Sequence, residues 1–111
     1  MAFSLWSETM KPDIDSFRKD VFNVVSEIPI GKVLTYGQIA WLIGRPQNSR
    51  LVGRVLREAS ESLHLPCHRV VNSQGRLAPG FTEQRRLLES EGVVFKTNAC
   101  VNMKECNFKL Q

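Results

Sequence analysis

Cys67 is followed directly by His68, in the run Leu65-Pro66-Cys67-His68-Arg69-Val70-Val71. A thiolate is the strongest nucleophile among the side chains, and an imidazole can take the thiol proton near neutral pH, so the pair has the parts for nucleophilic transfer. Adjacent residues seldom face one another and buried cysteine is common, so these two residues alone favour a packing role. The second chemical feature is charge. The chain carries 15 Lys and Arg against 11 Asp and Glu, a formal net charge of +4, and the excess is concentrated. Arg45, Arg50, Arg54 and Arg57 follow one another with no acid before Glu58, a density that suits phosphate contacts. The remaining cysteines, Cys100 and Cys106, bring the total to an odd 3 and lack CxxC spacing. Reduced thiols are expected, with no metal site.

The elements that must position these residues can be read from periodicity. A length of 111 residues with 42% apolar content suits one domain with one core. Phe17, Val21, Val24, Val25 and Ile28 recur at helical spacing, predicting a helix over 16–27, capped by Asp13 or Asp15 and ended by Pro29. Thr35 can cap a short helix over 36–43 that Gly44 stops, and a second helix is expected over 49–59 with Leu51, Val52, Val55 and Leu56 inward. Two short helices joined by a glycine-containing turn form a helix-turn-helix pattern. On the second of them Arg50, Arg54 and Arg57 fall at i, i+4 and i+7 and share a stripe. Gly53 lies among them, at a cost of roughly 1 kcal/mol against alanine in a helix interior, which is tolerable where another backbone must approach. Val70-Val71 reads as a short strand before the Asn72-Ser73-Gln74-Gly75 turn. A helix over 81–91 follows, closed by Gly92, and then a possible strand over 93–95. The fold class expected is mainly α with a few short strands, a helix-turn-helix domain of winged-helix type.

The pentapeptide Pro66-Cys67-His68-Arg69-Val70 resembles the signature of the alkylguanine-DNA alkyltransferases, and other segments agree in the same order over roughly residues 16–95. Gly31-Lys32-Val33-Leu34-Thr35-Tyr36-Gly37-Gln38-Ile39-Ala40 resembles the segment that opens the family's first DNA-facing helix. Ser49-Arg50-Leu51-Val52-Gly53 resembles the start of its recognition helix. The resemblance implies that Tyr36 presses on the phosphate 3′ to the target nucleotide and that Arg50 fills the space left by an extruded base. It implies that Gly53 admits the minor groove; from the stripe, Arg54 and Arg57 are expected on DNA as well, and Arg69 with them. It also gives Cys67, His68 and Glu91 the roles of nucleophile, base and carboxylate that orients the base. The target atom lies inside the duplex, so the nucleotide must be flipped out at an unstacking cost of a few kcal/mol.

Three departures from the family pattern bear on what the chain does. Residues 1–15 are too short to form the separate N-terminal domain of many alkyltransferases and are expected to be a flexible arm. Arg57-Glu58-Ala59-Ser60-Glu61-Ser62 lacks the family's Arg-Gly-Asn-Pro run, so its hinge asparagine falls on Ala59. The loop after Gly75, Arg76-Leu77-Ala78-Pro79-Gly80-Phe81, is shorter than the enzymes' closing loop and resembles that of the alkyltransferase-like lesion sensors, which have tryptophan or alanine in place of Cys67. Retention of Cys67, His68 and Glu91 favours suicidal alkyl transfer from guanine in double-stranded DNA. The alternatives are a non-catalytic sensor that recruits nucleotide excision repair proteins, and a plain winged-helix regulator in which Cys67 only packs. The domain is expected over 16–96, with 97–111 a tail packed on it. A cytoplasmic monomer is expected, needing no cofactor or metal and engaging no membrane.

Overall fold

The computed structural model describes residues 14–109; most of the expected 1–15 arm, with Asp13, lies outside the described residues. Helix α1 spans Ile14–Ser26 and buries Phe17, Val21 and Val25. Strand β1 is Leu34–Thr35, and α2, Tyr36–Leu42, begins immediately after it. The start is fixed by Thr35: its hydroxyl accepts from the Gln38 amide at 3.0 Å, while the Gln38 side chain accepts from the Thr35 amide at 2.9 Å. This reciprocal box satisfies two amides that the first helical turn leaves unpaired. Gly44, at φ +77°, lets the chain leave α2 in the left-handed region. Helix α3, Ser49–Arg57, then buries Val52, Val55 and Leu56. It packs on α2, and α1 lies across both. The helix-turn-helix arrangement in a mainly helical fold with short strands is what the periodicity predicts.

After α3 come two single 3-10 turns, Glu61–Leu63 and Cys67–Arg69, then strand β2, Val70–Val71. It pairs with β1 in parallel, Leu34 opposite Val70 and Thr35 opposite Val71. Side chains alternate across a strand, and here the alternation divides two hydrophobic clusters. Leu34 and Val70 join α1, α2 and α3 in the first; Val33 and Val71 join Leu88, Val93, Val101 and Cys106 in the second. Helix α4, Gln84–Ser90, and a short α5, Met103–Cys106, complete the described chain. No helix among the described residues is long and apolar enough to cross a membrane.

Several expected boundaries move. Helix α1 begins at Ile14 and ends at Ser26, and α2 ends at Leu42. Helix α3 stops at Arg57, because Glu58 caps it and the Ala59 amide turns back to the Leu56 carbonyl at 3.2 Å. Residues 81–83 precede α4 rather than belonging to it: the Phe81 amide donates to the Ala78 carbonyl at 3.3 Å, and Gly80 stands at φ +81°, a type II turn with Pro79 at its second position. The expected strand over 93–95 is reduced to a single antiparallel bridge between Phe95 and Val101.

The C-terminal residues are stitched in by backbone and amide bonds. The Val33 amide donates to the Cys106 carbonyl and the Phe108 amide to the Val33 carbonyl, and the Gln38 and Asn107 side-chain amides pair reciprocally. Gly75 makes the closest approach. Its carbonyl accepts from the Val101 amide at 2.8 Å, and a Cβ there would lie 2.6 Å from the Val101 carbonyl oxygen, at φ +85°. Gly75→Ala is therefore expected to destabilise the protein by about 2–4 kcal/mol in denaturant unfolding, from backbone strain and steric overlap together.

Candidate active site

The start of α2, one side of α3 along its length and the loop after Gly75 line a cleft of about 450 Å³, formed by Tyr36, Ser49, Arg50, Gly53, Arg57, Ala78 and Pro79. Tyr36 is the first residue of α2, placed there by the Thr35 cap. Its ring lies against Gly53, where an added Cβ would stand 3.5 Å from Cε1 and 3.6 Å from Cδ1. Those are ordinary contacts, so nothing within the protein requires glycine at position 53. The glycine therefore weakens the helix without a steric reason inside the protein. Gly53→Ala is expected to raise the stability of the free protein by about 0.5–1 kcal/mol and to lower duplex affinity, as measured by unfolding and by titration with DNA. Weaker folding with unchanged binding would contradict it.

The expected arginine stripe is divided. Arg50 and Arg57 line the cleft. Arg54 is exposed outside it and stands 3.6 Å from Glu58, an exposed pair worth little in stability. Arg69, expected on DNA, is turned inward with a side chain only 14% exposed. Its Nε and Nη2 donate to the two oxygens of Glu91 at 2.9 and 2.7 Å, and its Nη1 donates to the Ile28 carbonyl at 2.8 Å. A planar guanidinium matches a carboxylate in this two-pronged way. Sequence alone cannot distinguish such a residue from a surface cation, and in this structure it holds Glu91.

Glu91 in turn meets His68, whose Nε2 lies 2.9 Å from Oε2. The Arg69 hydrogen bonds, opposed by burial and assisted by His68, lower the Glu91 carboxyl from 4.5 to about 2. It is ionised at neutral pH and suited to stabilising an imidazolium. Cys67 begins the 3-10 turn that carries His68 and Arg69. It lines a second cavity of about 270 Å³ with Leu56, Ala59, Ser60, Glu61, His64, Leu65 and Phe81. Among the described residues no hydrogen bond joins its sulfur to His68, so a proton passing between them in this arrangement needs a bridging water. Burial pushes the Cys67 thiol up, with a backbone hydrogen bond opposing it, so the resting thiol needs a base. The larger cleft does not reach Cys67, but its Tyr36 is close enough for the two groups to influence one another electrostatically. Burial raises the Tyr36 phenol, Arg57 lowers it and Cys67 raises it again.

Gln84 is the functional candidate that sequence reasoning missed. It is fully buried on α4, and a polar residue on a short amphipathic helix carries no mark of that burial. Among the described residues no group of three or more histidine, cysteine or acidic side chains could hold a metal ion.

Residues 16–93 match the family model described as the DNA-binding domain of 6-O-methylguanine DNA methyltransferase. The DNA base-flipping protein of Escherichia coli (strain K12) is 40% identical over 93 residues, covering 81% of this chain and 72% of that protein. A methylated-DNA–protein-cysteine methyltransferase of Methanosarcina acetivorans is 40% identical over 86 residues, covering 75% of this chain but only 55% of its own length. Among solved structures, S. pombe Atl1 in complex with damaged DNA containing O6-carboxymethylguanine superposes with a TM-score of 0.79 at 35% identity, covering 91% of this chain and all of that one.

Proposed function

The chain belongs to the alkylguanine-DNA alkyltransferase family, and from that premise we propose that it is a DNA repair protein that flips alkylated guanine out of duplex DNA and moves the alkyl group onto Cys67. The observation that carries this reading is the His68–Glu91 hydrogen bond, braced by Arg69, with Cys67 next to His68 on one 3-10 turn, together with a separate cleft lined by Tyr36, Arg50 and Arg57. Residues 16–96 carry the DNA face and the chemistry. Arg50 enters the vacated stack, Tyr36 presses the backbone, and Arg54 and Arg57 meet phosphates. The minor groove, poor in sequence information, suits a protein that must find one lesion in any sequence.

In the transfer step a Cys67 sulfur–carbon bond forms as the bond from carbon to guanine O6 breaks. The thiol proton passes through water to His68, Glu91 stabilises the resulting imidazolium, and the guanine anion that leaves takes up a proton to restore the normal base. The thioether is not hydrolysed, so each molecule acts once, and no cofactor enters the balance.

A second reading, a lesion sensor that binds without transfer and hands the site to nucleotide excision repair proteins, is favoured by the short 76–81 loop and by the raised Cys67 thiol. Both readings need selective binding of damaged duplex. Competition between otherwise identical duplexes with and without O6-methylguanine tests this shared part: a preference of at least tenfold is expected, and equal affinities would remove both readings.

A further inference from the structure

Gln84 has no exposed surface, yet its amide is completely paired. Oε1 accepts from the Ala78 amide at 2.7 Å; Nε2 donates to the His68 carbonyl at 3.0 Å and to the Val70 carbonyl at 2.9 Å. One acceptor and two donors meet one N–H and two carbonyls, so a single orientation of the amide fits and no other side chain of this size supplies the set. Glutamate would turn oxygen lone pairs toward two carbonyls, and methionine would leave all three backbone groups unpaired in the interior.

The partners give this residue its meaning. Ala78 and Pro79 line the larger cleft together with Tyr36 and Arg50, while Phe81 lines the cavity that holds Cys67. All three belong to the type II turn over 78–81, and the Gln84 backbone amide donates to the Phe81 carbonyl at 3.1 Å. His68 and Val70 belong to the segment that carries the nucleophile. Gln84 is thus the bolt between the turn and that segment. Resting on the lesion-binding reading above, we infer that Gln84 is a positioning residue that holds the 78–81 turn at a set distance from the Cys67 segment and so sets the preference for damaged over undamaged guanine.

The physical basis is preorganisation. A wall fixed before binding need not be ordered when a flipped base arrives, whereas a loosened one must be, and that cost falls on the lesion complex alone. Undamaged duplex held by the arginines without a base in the cleft is indifferent to the bolt.

The test compares wild type with Gln84→Met, close in size but without the amide, by titration with duplexes carrying either O6-methylguanine or guanine and by amide hydrogen exchange of Ala78. The expected result is at least a tenfold fall in the lesion-to-undamaged affinity ratio, with undamaged affinity within twofold of wild type and loss of protection at Ala78. A folded variant that melts earlier but keeps the wild-type ratio overturns the inference and leaves Gln84 a packing residue. If Gln84→Met does not fold, Ala78 exchange in wild type decides: protection well above that of exposed loop amides upholds the bolt, and rapid exchange overturns it. Absence of lesion preference in wild type itself is a failure of the lesion-binding reading, and the Ala78 exchange then still judges the bolt separately.

Discussion

Glu91→Gln is expected to slow alkyl transfer by about 10²- to 10³-fold, within the roughly 10²- to 10⁴-fold that general acid–base assistance supplies, while lesion binding changes far less. The variant retains a hydrogen-bonding group of the same shape but loses the charge that steadies protonated His68 and neutralises Arg69. Breaking a largely buried ion pair from one side costs about 3–5 kcal/mol, so stability at neutral pH should fall as well. Its pH dependence gives an independent check. A carboxyl lowered from 4.5 to about 2 contributes on the order of 3 kcal/mol. That contribution is fully present above pH 4.5 or so and is lost as pH falls toward 2. Denaturant unfolding of wild type should weaken through this window, and the component should be missing from Glu91→Gln. Parallel curves for the two proteins would show that Glu91 is not held as the structure places it.

Arg50→Ala is expected to lower the lesion-to-undamaged affinity ratio by about 10- to 100-fold, since a residue filling the vacated stack, the role proposed for Arg50, would offset an unstacking cost of a few kcal/mol. Arg57→Ala should instead weaken binding to every duplex and reduce the salt slope by about one unit. Arg54, exposed and facing Glu58, should show the same uniform pattern with a smaller loss. Equal effects at all three positions, measured by titration at several salt concentrations, would remove the special role given to Arg50.

The site was legible in the sequence where local rules govern it. Thr35 is followed three residues later by Gln38, a capping signature, and the observed box places Tyr36 at the first position of α2. The apolar spacing of α1 and α3 predicts their buried faces because each meets a continuous core. What the sequence could not show is which neighbours each side chain meets in the fold. Arg69 looks like any basic residue until Glu91, 22 positions away, and the Ile28 carbonyl are brought to it. Arg54 stands outside the cleft that Arg50 and Arg57 line and faces Glu58 one turn along the helix. Gln84 could not be found by pattern, since its three partners come from a turn and from the nucleophile segment. The ends of the chain's second half moved for a similar reason. Val101 and Cys106 are buried by Val33, Val71 and Leu88, and a single bridge on each side gives no run of alternation long enough to read.

Incubation of the protein with duplex DNA carrying O6-methylguanine, followed by intact-mass measurement and peptide mapping, tests the central claim most directly. A gain of one methyl group, found on Cys67 and absent from Cys100, Cys106 and the Cys67→Ser variant, is the predicted result. Tight, selective binding of the lesion with no change in mass would contradict transfer and leave the chain a sensor.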